Sequence, residues 1–129
     1  MNSADLALLL DEAYRADWES LRSALSAVQG QPHPRIGWLT QHLAVVKRGY
    51  AQALHAAIQT PTPPPDLDLD ALCRWEVEMV SALTPARLEM RLASSGQTLT
   101  VADLLRLNAR QTTWHAGQIA AHAQAPRTA

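Results

Sequence analysis

The chain has 129 residues, room for one domain and one core, so residues 1–129 are expected to form a single domain. Hydrophobic residues make up 47% of it, enough to bury a sizeable core, while charged residues are 18%. The formal net charge of −1 excludes the basic excess of a dominant nucleic-acid surface.

The first segment, about residues 3 to 29, carries Leu10, Tyr14, Trp18, Leu21, Leu25 and Val28 at steps of three or four. That spacing predicts one helix with a single apolar stripe. Glu12, Arg15, Glu19 and Arg22 fall on the solvated side. Ser3 is its expected N-cap, and Gly30, Pro32 and Pro34 are expected to stop it. The apolar run Leu6 to Leu10 is flanked by Asp5 and Asp11-Glu12 and has no basic stretch before it, unlike a targeting signal. No uninterrupted apolar run approaches the roughly 18 residues that span a bilayer.

The second predicted helix runs from about Ile36 to Ile58. Ile36, Leu39, Leu43, Val46, Tyr50, Ala53 and Ala57 form its inner stripe, with Lys47, Arg48 and His55 outward. The run Thr60-Pro-Thr-Pro-Pro-Pro65 then makes a stiff, long loop. A third helix is expected over about Leu69 to Leu83, burying Leu72, Trp75 or Glu76, Met79 and Leu83. It contains the one cysteine, Cys73, which has no intramolecular disulfide partner and reads as a small buried hydrophobe in a reducing, cytoplasmic compartment. Thr84-Pro85 interrupts this helix or opens a short extra turn. Leu88 to Leu99, with the turn Ser94-Ser95-Gly96, reads as a small hairpin or an irregular loop. Thr100-Val-Ala-Asp103 resembles a capping box and opens the last helix, which is expected to reach about Gln124. Four helices with these connections predict an all-α bundle.

The last helix carries the strongest functional signal. At about 100° per residue, Val101, Leu104, Leu105, Asn108, Gln111, Thr112, His115, Ile119 and His122 share one face, and Asp103, Arg106 and Arg110 lie opposite. Five of the inner positions are polar, and burying such groups unpaired costs roughly 1–3 kcal/mol each. Either they satisfy one another or they line a wet cavity or an ion. His42 repeats the pattern at the edge of the second helix's inner stripe. Alone, a His on an apolar face reads as a hydrogen-bonded core residue. Convergence with the polar stripe makes His42 and His115 the expected centre of a buried polar site.

Three segments resemble the DinB and YfiT-like family of four-helix-bundle metalloproteins. They are Thr98-Leu-Thr-Val-Ala-Asp-Leu-Leu105, then His115-Ala-Gly-Gln-Ile119 as an H-x-G-Q-I motif, and Trp38-Leu-Thr-Gln-His42-Leu in the second helix. The resemblance implies an up-down-down-up bundle with a long loop after the second helix and an irregular or hairpin-like loop before the fourth. It also implies a divalent metal (zinc, nickel, iron or manganese) held by three histidines, with His42 and His115 in two of the ligand positions. The third position, four residues before His115, holds Gln111, a departure from the family. The i, i+4 spacing keeps both side chains on one face, but an amide oxygen suits harder ions than an imidazole does. His122 lies about 10 Å further along the axis, too far to share that ion.

Asn108, Thr112, Gln118 and Asp17 are expected to line the site. Asp17, near the inner stripe of the first helix, reads as a boundary carboxylate or as a partner to an imidazole N–H. Gln118 is expected to orient its neighbours, and outward Gly117 to permit close packing against another helix or subunit. The resemblance implies a metal-dependent enzyme of the thiol-dependent transferase or hydrolase type, with a small-molecule or thiol cosubstrate, acting as a homodimer. With only Arg106 and Arg110 on the outer face of the last helix and no apolar run of membrane length, no membrane or direct nucleic-acid partner is expected. The loss of a histidine at Gln111 favours the alternative of a non-catalytic small-molecule-binding or structural bundle that has lost its metal. No Gly-rich phosphate loop, H-E-x-x-H, G-x-S-x-G or C-x-x-C motif is present.

Overall fold

The computed structural model describes residues 2–29 and 33–123. Among them are six helices and one two-stranded sheet: α1 (Ser3–Arg15), α2 (Leu21–Ala27), α3 (Pro34–Ile58), α4 (Leu69–Ser81), α5 (Pro85–Glu89), β1 (Arg91–Ser94), β2 (Gln97–Thr100) and α6 (Val101–Ala120). The expected stop at Gly30 and Pro32 lies outside the described residues; the last helix, expected to reach about Gln124, ends at Ala120 with Ala121 as its C-cap. Pro34 begins α3 at its first turn, behind His33 as N-cap. No helix among the described residues is long and apolar enough to cross a membrane.

The single first helix expected from the stripe is two helices. Ala16 leaves the helical conformation at ψ 155°, and Glu19 takes a left-handed φ of 55°. Ser20, fully buried, causes the restart. Its hydroxyl donates to the Ala16 carbonyl at 2.6 Å and accepts from the Ser23 N–H, while the Ser23 hydroxyl accepts from the Ser20 N–H. This reciprocal cap satisfies helix-end groups that periodicity ignores. Trp18 therefore leaves the apolar stripe and stands 83% exposed. The N-cap of α1 is Asn2, not Ser3, because the Asn2 side chain reaches the Asp5 N–H at 2.8 Å.

Residues 88–99 resolve into a short helix and a hairpin. Thr84 caps α5, with Pro85 in its first turn. β1 and β2 pair antiparallel with Leu92 opposite Leu99, and the turn uses the left-handed Ser95 and Gly96. Thr100 then caps α6 by accepting from the Asp103 N–H.

α1 packs against α4 and α6, and α3 packs against the same two helices; α2 lies against α6. The core falls into two clusters. One joins Leu6 and Leu10, Leu54 and Ile58, Met79 and Val80, and Val101, Leu104 and Leu105. The other joins Tyr14, Leu21 and Ala24, Leu39 and Leu43, Cys73, and Ala116 and Ile119. On two helices a polar residue sits in sequence between the members of the two clusters, Lys47 on α3 and Glu76 on α4, and on α6 Asn108 lies beside Ala109, the last member of the first cluster.

Candidate functional site between α3 and α6

Lys47 was expected to point outward and is 2% exposed. The buried line of α3 runs through Leu39, Leu43, Lys47, Ala51, Leu54 and Ile58, one step round from Val46, Tyr50, Ala53 and Ala57, which are half-buried. Both lines are apolar enough to face the core, and a charge partner decides between them. Lys47 Nζ donates to Glu76 Oε1 at 2.7 Å and to Asn108 Oδ1 at 2.8 Å; Asn108 Nδ2 donates to Glu76 Oε2 at 2.8 Å. Each carboxylate oxygen has a donor, so the buried charge is paired and hydrogen-bonded. The other two residues expected outward, Arg48 and His55, brace the proline-rich loop. Arg48 donates to the carbonyls of Pro64, Pro65 and Leu67, and His55 Nδ1 to that of Thr60.

Much of the polar stripe on α6 is thus satisfied from within. Asn108 belongs to the triad and Thr112, fully buried, donates to the Asn108 carbonyl at 3.0 Å. Both side chains thus find their partners within the bundle. Gln111 lies half-buried at the stripe's edge, and its Oε1 accepts from the Tyr50 hydroxyl at 2.8 Å. Burial raises the Tyr50 phenol above its ordinary range, and the Glu76 charge adds to this, so Tyr50 stays a neutral donor.

His42 and His115 do come together. Their ring centres are 5.3 Å apart at 46°, His42 half-buried on α3 and His115 8% exposed on α6. His115 Nδ1 lies 2.7 Å from the Gln111 carbonyl, which can only accept, so Nδ1 carries a proton and the neutral ring has its lone pair on Nε2. A metal-binding imidazole is usually held by such a bond. His42 stacks on Trp38 at 4.8 Å and 8°, and the Arg35 guanidinium lies over the same indole, 4.3 Å from its centroid. These contacts hold the His42 ring from outside. A shallow hollow of about 370 Å³ opens beside His115, lined by Arg110, Gln111, Trp114 and His115.

The donor set fits a divalent ion in part. Nitrogen ligands at about 2.0–2.1 Å put each ring centre about 3.2 Å from the ion, hence about 5.2 Å apart at a tetrahedral angle. The 5.3 Å between His42 and His115 matches that bite. Gln111 fits less well, because its amide oxygen is already bound to Tyr50. Among the described residues, no three His, Cys, Asp or Glu side chains gather closely enough to hold a metal.

The remaining expected residues lie elsewhere. Asp17 is exposed in the α1–α2 bend, because the helix that would have turned it inward ends at Arg15. Gln118 is half-buried and lines a groove of about 840 Å³ between α1 and α6, apart from the hollow at His115. His122 follows the end of α6 and packs on His33, ring centres 4.4 Å apart. Cys73 is 1% exposed, and burial pushes its thiol up to about 12, so it is no nucleophile. Sequence reasoning missed Tyr50, Trp38 and Arg35 as neighbours of the site. The i, i+3, i+7 spacing of Arg35, Trp38 and His42 was the available signal. Comparison with models of protein families, with curated proteins and with solved structures finds no match to this chain.

Proposed function

We propose that this chain is a DinB-like four-helix bundle with a reduced divalent-metal site between α3 and α6, and a metal-dependent enzyme of the thiol-dependent transferase or hydrolase type. The observation that carries this reading is the His42–His115 pair, spaced as two ligands of one ion and with His115 Nε2 free. His42 and His115 would hold the ion, and Gln111 stands at its edge. A divalent ion there supplies polarisation of an electrophile and a lowered pKa for a water or a cosubstrate thiol. The chain's own contribution is orientation: the Gln111 carbonyl fixes His115, and the Arg35–Trp38 stack fixes His42. The hollow beside His115 offers room for a small molecule or the thiol end of a cosubstrate.

The up-down-down-up course draws its support from the two core clusters. One takes the start of α1, the end of α3, the end of α4 and the start of α6; the other takes their opposite ends. A cytoplasmic setting is part of the same reading, supported by the lone buried Cys73.

A second reading is favoured by the Tyr50–Gln111 bond, which occupies the amide where the family has a third ligand. On this reading the bundle binds a small molecule without metal, or is structural. Elemental analysis of protein purified without a polyhistidine tag separates the two. Stoichiometric metal that is lost in His115→Ala supports the enzyme. No metal after incubation with nickel, zinc or manganese, together with uptake by Gln111→His, supports the second reading. Metal retained by His115→Ala refutes the site.

A further inference from the structure

The hollow beside His115 differs from the other depressions in the charge of its walls. Three other grooves on the described surface each carry a carboxylate: Glu12 and Glu19, Asp17 and Glu19, or Glu89. The hollow is lined by Arg110, Gln111, Trp114 and His115 and has none. Its charge is that of a guanidinium alone.

The hydrogen-bond inventory points the same way. Arg110 makes no ion pair among the described residues; Glu12 and Glu19 share the neighbouring groove with it, and neither pairs with it. Gln111 is turned by its neighbour. The Tyr50 phenol, kept neutral by burial and by the Glu76 charge, has a proton to give and gives it to Gln111 Oε1 at 2.8 Å. That bond takes up the oxygen end of the amide and leaves both Nε2 hydrogens without a partner in the described chain. Thr60 Oγ1 is the one buried polar side-chain atom left unpaired among the described residues, so the Gln111 amide nitrogen is open to solvent. The Arg110 charge also acts on the Tyr50 phenol, against burial and Glu76, which sets the guanidinium on the side of this amide. Two unsatisfied donors therefore stand together beside an indole that is 69% exposed.

We propose that the hollow binds the carboxylate of a small, flat, apolar acid. The carboxylate takes the Arg110 fork and the Gln111 amide hydrogens, and the apolar body lies against the Trp114 indole. Charge-assisted bonds of this kind are roughly twice as strong as neutral ones, and a guanidinium matches the two oxygens of a carboxylate in one plane. A phosphate spreads its charge over three oxygens and asks for donors on several sides, whereas these come from one face of one helix. The volume of about 370 Å³ suits a single-ring acid. The departure at Gln111 thus gives the site an anion donor in exchange for a third imidazole. That this acid is the substrate rests on the site proposed above; the binding of the anion does not.

The test uses the full 15N-labelled chain, freed of metal on a chelating resin and titrated with sodium benzoate at constant ionic strength. The Trp114 indole N–H resonance, assigned through Trp114→Phe, and the Gln111 side-chain amide should shift and saturate. For so small a ligand the expected Kd is on the order of 1 mM, covered by roughly 0.1 to 50 mM benzoate. Benzyl alcohol and benzylamine, of the same shape, should bind at least about tenfold more weakly, as should benzoate to Arg110→Gln. Arg110 is exposed, so this variant keeps its helical circular dichroism. Gln111→Glu preserves an acceptor for Tyr50 and replaces the amide donors by a second carboxylate oxygen; it should weaken benzoate at least as far. The proposal is overturned by the absence of a saturating shift, by benzyl alcohol or benzylamine binding as well as benzoate, or by Arg110→Gln binding like the parent. Tighter binding of phenylphosphonate than of benzoate overturns the carboxylate assignment. The titration contains no metal, so its failure is distinct from failure of the metal site.

Discussion

Replacing Lys47 by Met removes a charge from the middle of the bundle while keeping the length of its apolar stem. Glu76, whose side chain is 7% exposed, then holds a buried negative charge with Asn108 Nδ2 as its remaining donor, and Asn108 Oδ1 loses its partner. A buried pair broken on one side costs about 3–5 kcal/mol, well above the roughly 1 kcal/mol of an ordinary hydrogen bond. Against a total stability of about 5–15 kcal/mol, that removes about a fifth or more. With a urea slope of about 1–3 kcal/mol/M, the midpoint should fall by about 2 M. The triple replacement Lys47→Met, Glu76→Leu, Asn108→Leu leaves no unpaired group and should recover to within about 1 kcal/mol of the parent, or exceed it. Urea melts followed by circular dichroism on the three proteins measure both effects. A Lys47→Met variant that loses less than about 1 kcal/mol would refute the reasoning, since water would then be reaching Glu76.

Gly117→Ala should stabilise the fold by about 0.5–1 kcal/mol, because the helix gains propensity and the new methyl group meets nothing; a lower thermal midpoint would show a hidden clash. Cys73 should be silent to a thiol reagent near pH 8 in the native protein and react fully in denaturant, its thiolate fraction being about a thousandfold below that of a thiol at 9.0. Its thiol is raised in the folded state, so the neutral form's contribution is complete below the unfolded value and lost as pH climbs towards about 12. Stability should therefore fall more steeply above about pH 9 in the parent than in Cys73→Ala; parallel curves would contradict the assignment.

Local chemistry along the chain was enough to place most elements. The helical spacing that runs from Ile36 through Leu39 and Leu43, the proline run after Thr60, the break at Thr84-Pro85 and the cap at Thr100 each act over a few residues, so they are legible without the fold. The meeting of His42 and His115 was legible too, because a polar face opposite Arg106 and Arg110 has to turn inward. Helical periodicity could not show that Ser20 ends the stripe, since a cap competes with a pattern that continues through Trp18. Nor could it show that Lys47 belongs inside. A lysine between two apolar lines on α3 can face either way, and its partners Glu76 and Asn108 are 29 and 61 residues distant. Whether a buried charge is tolerable depends on what lies 3 Å from it, and only the tertiary structure brings those atoms there.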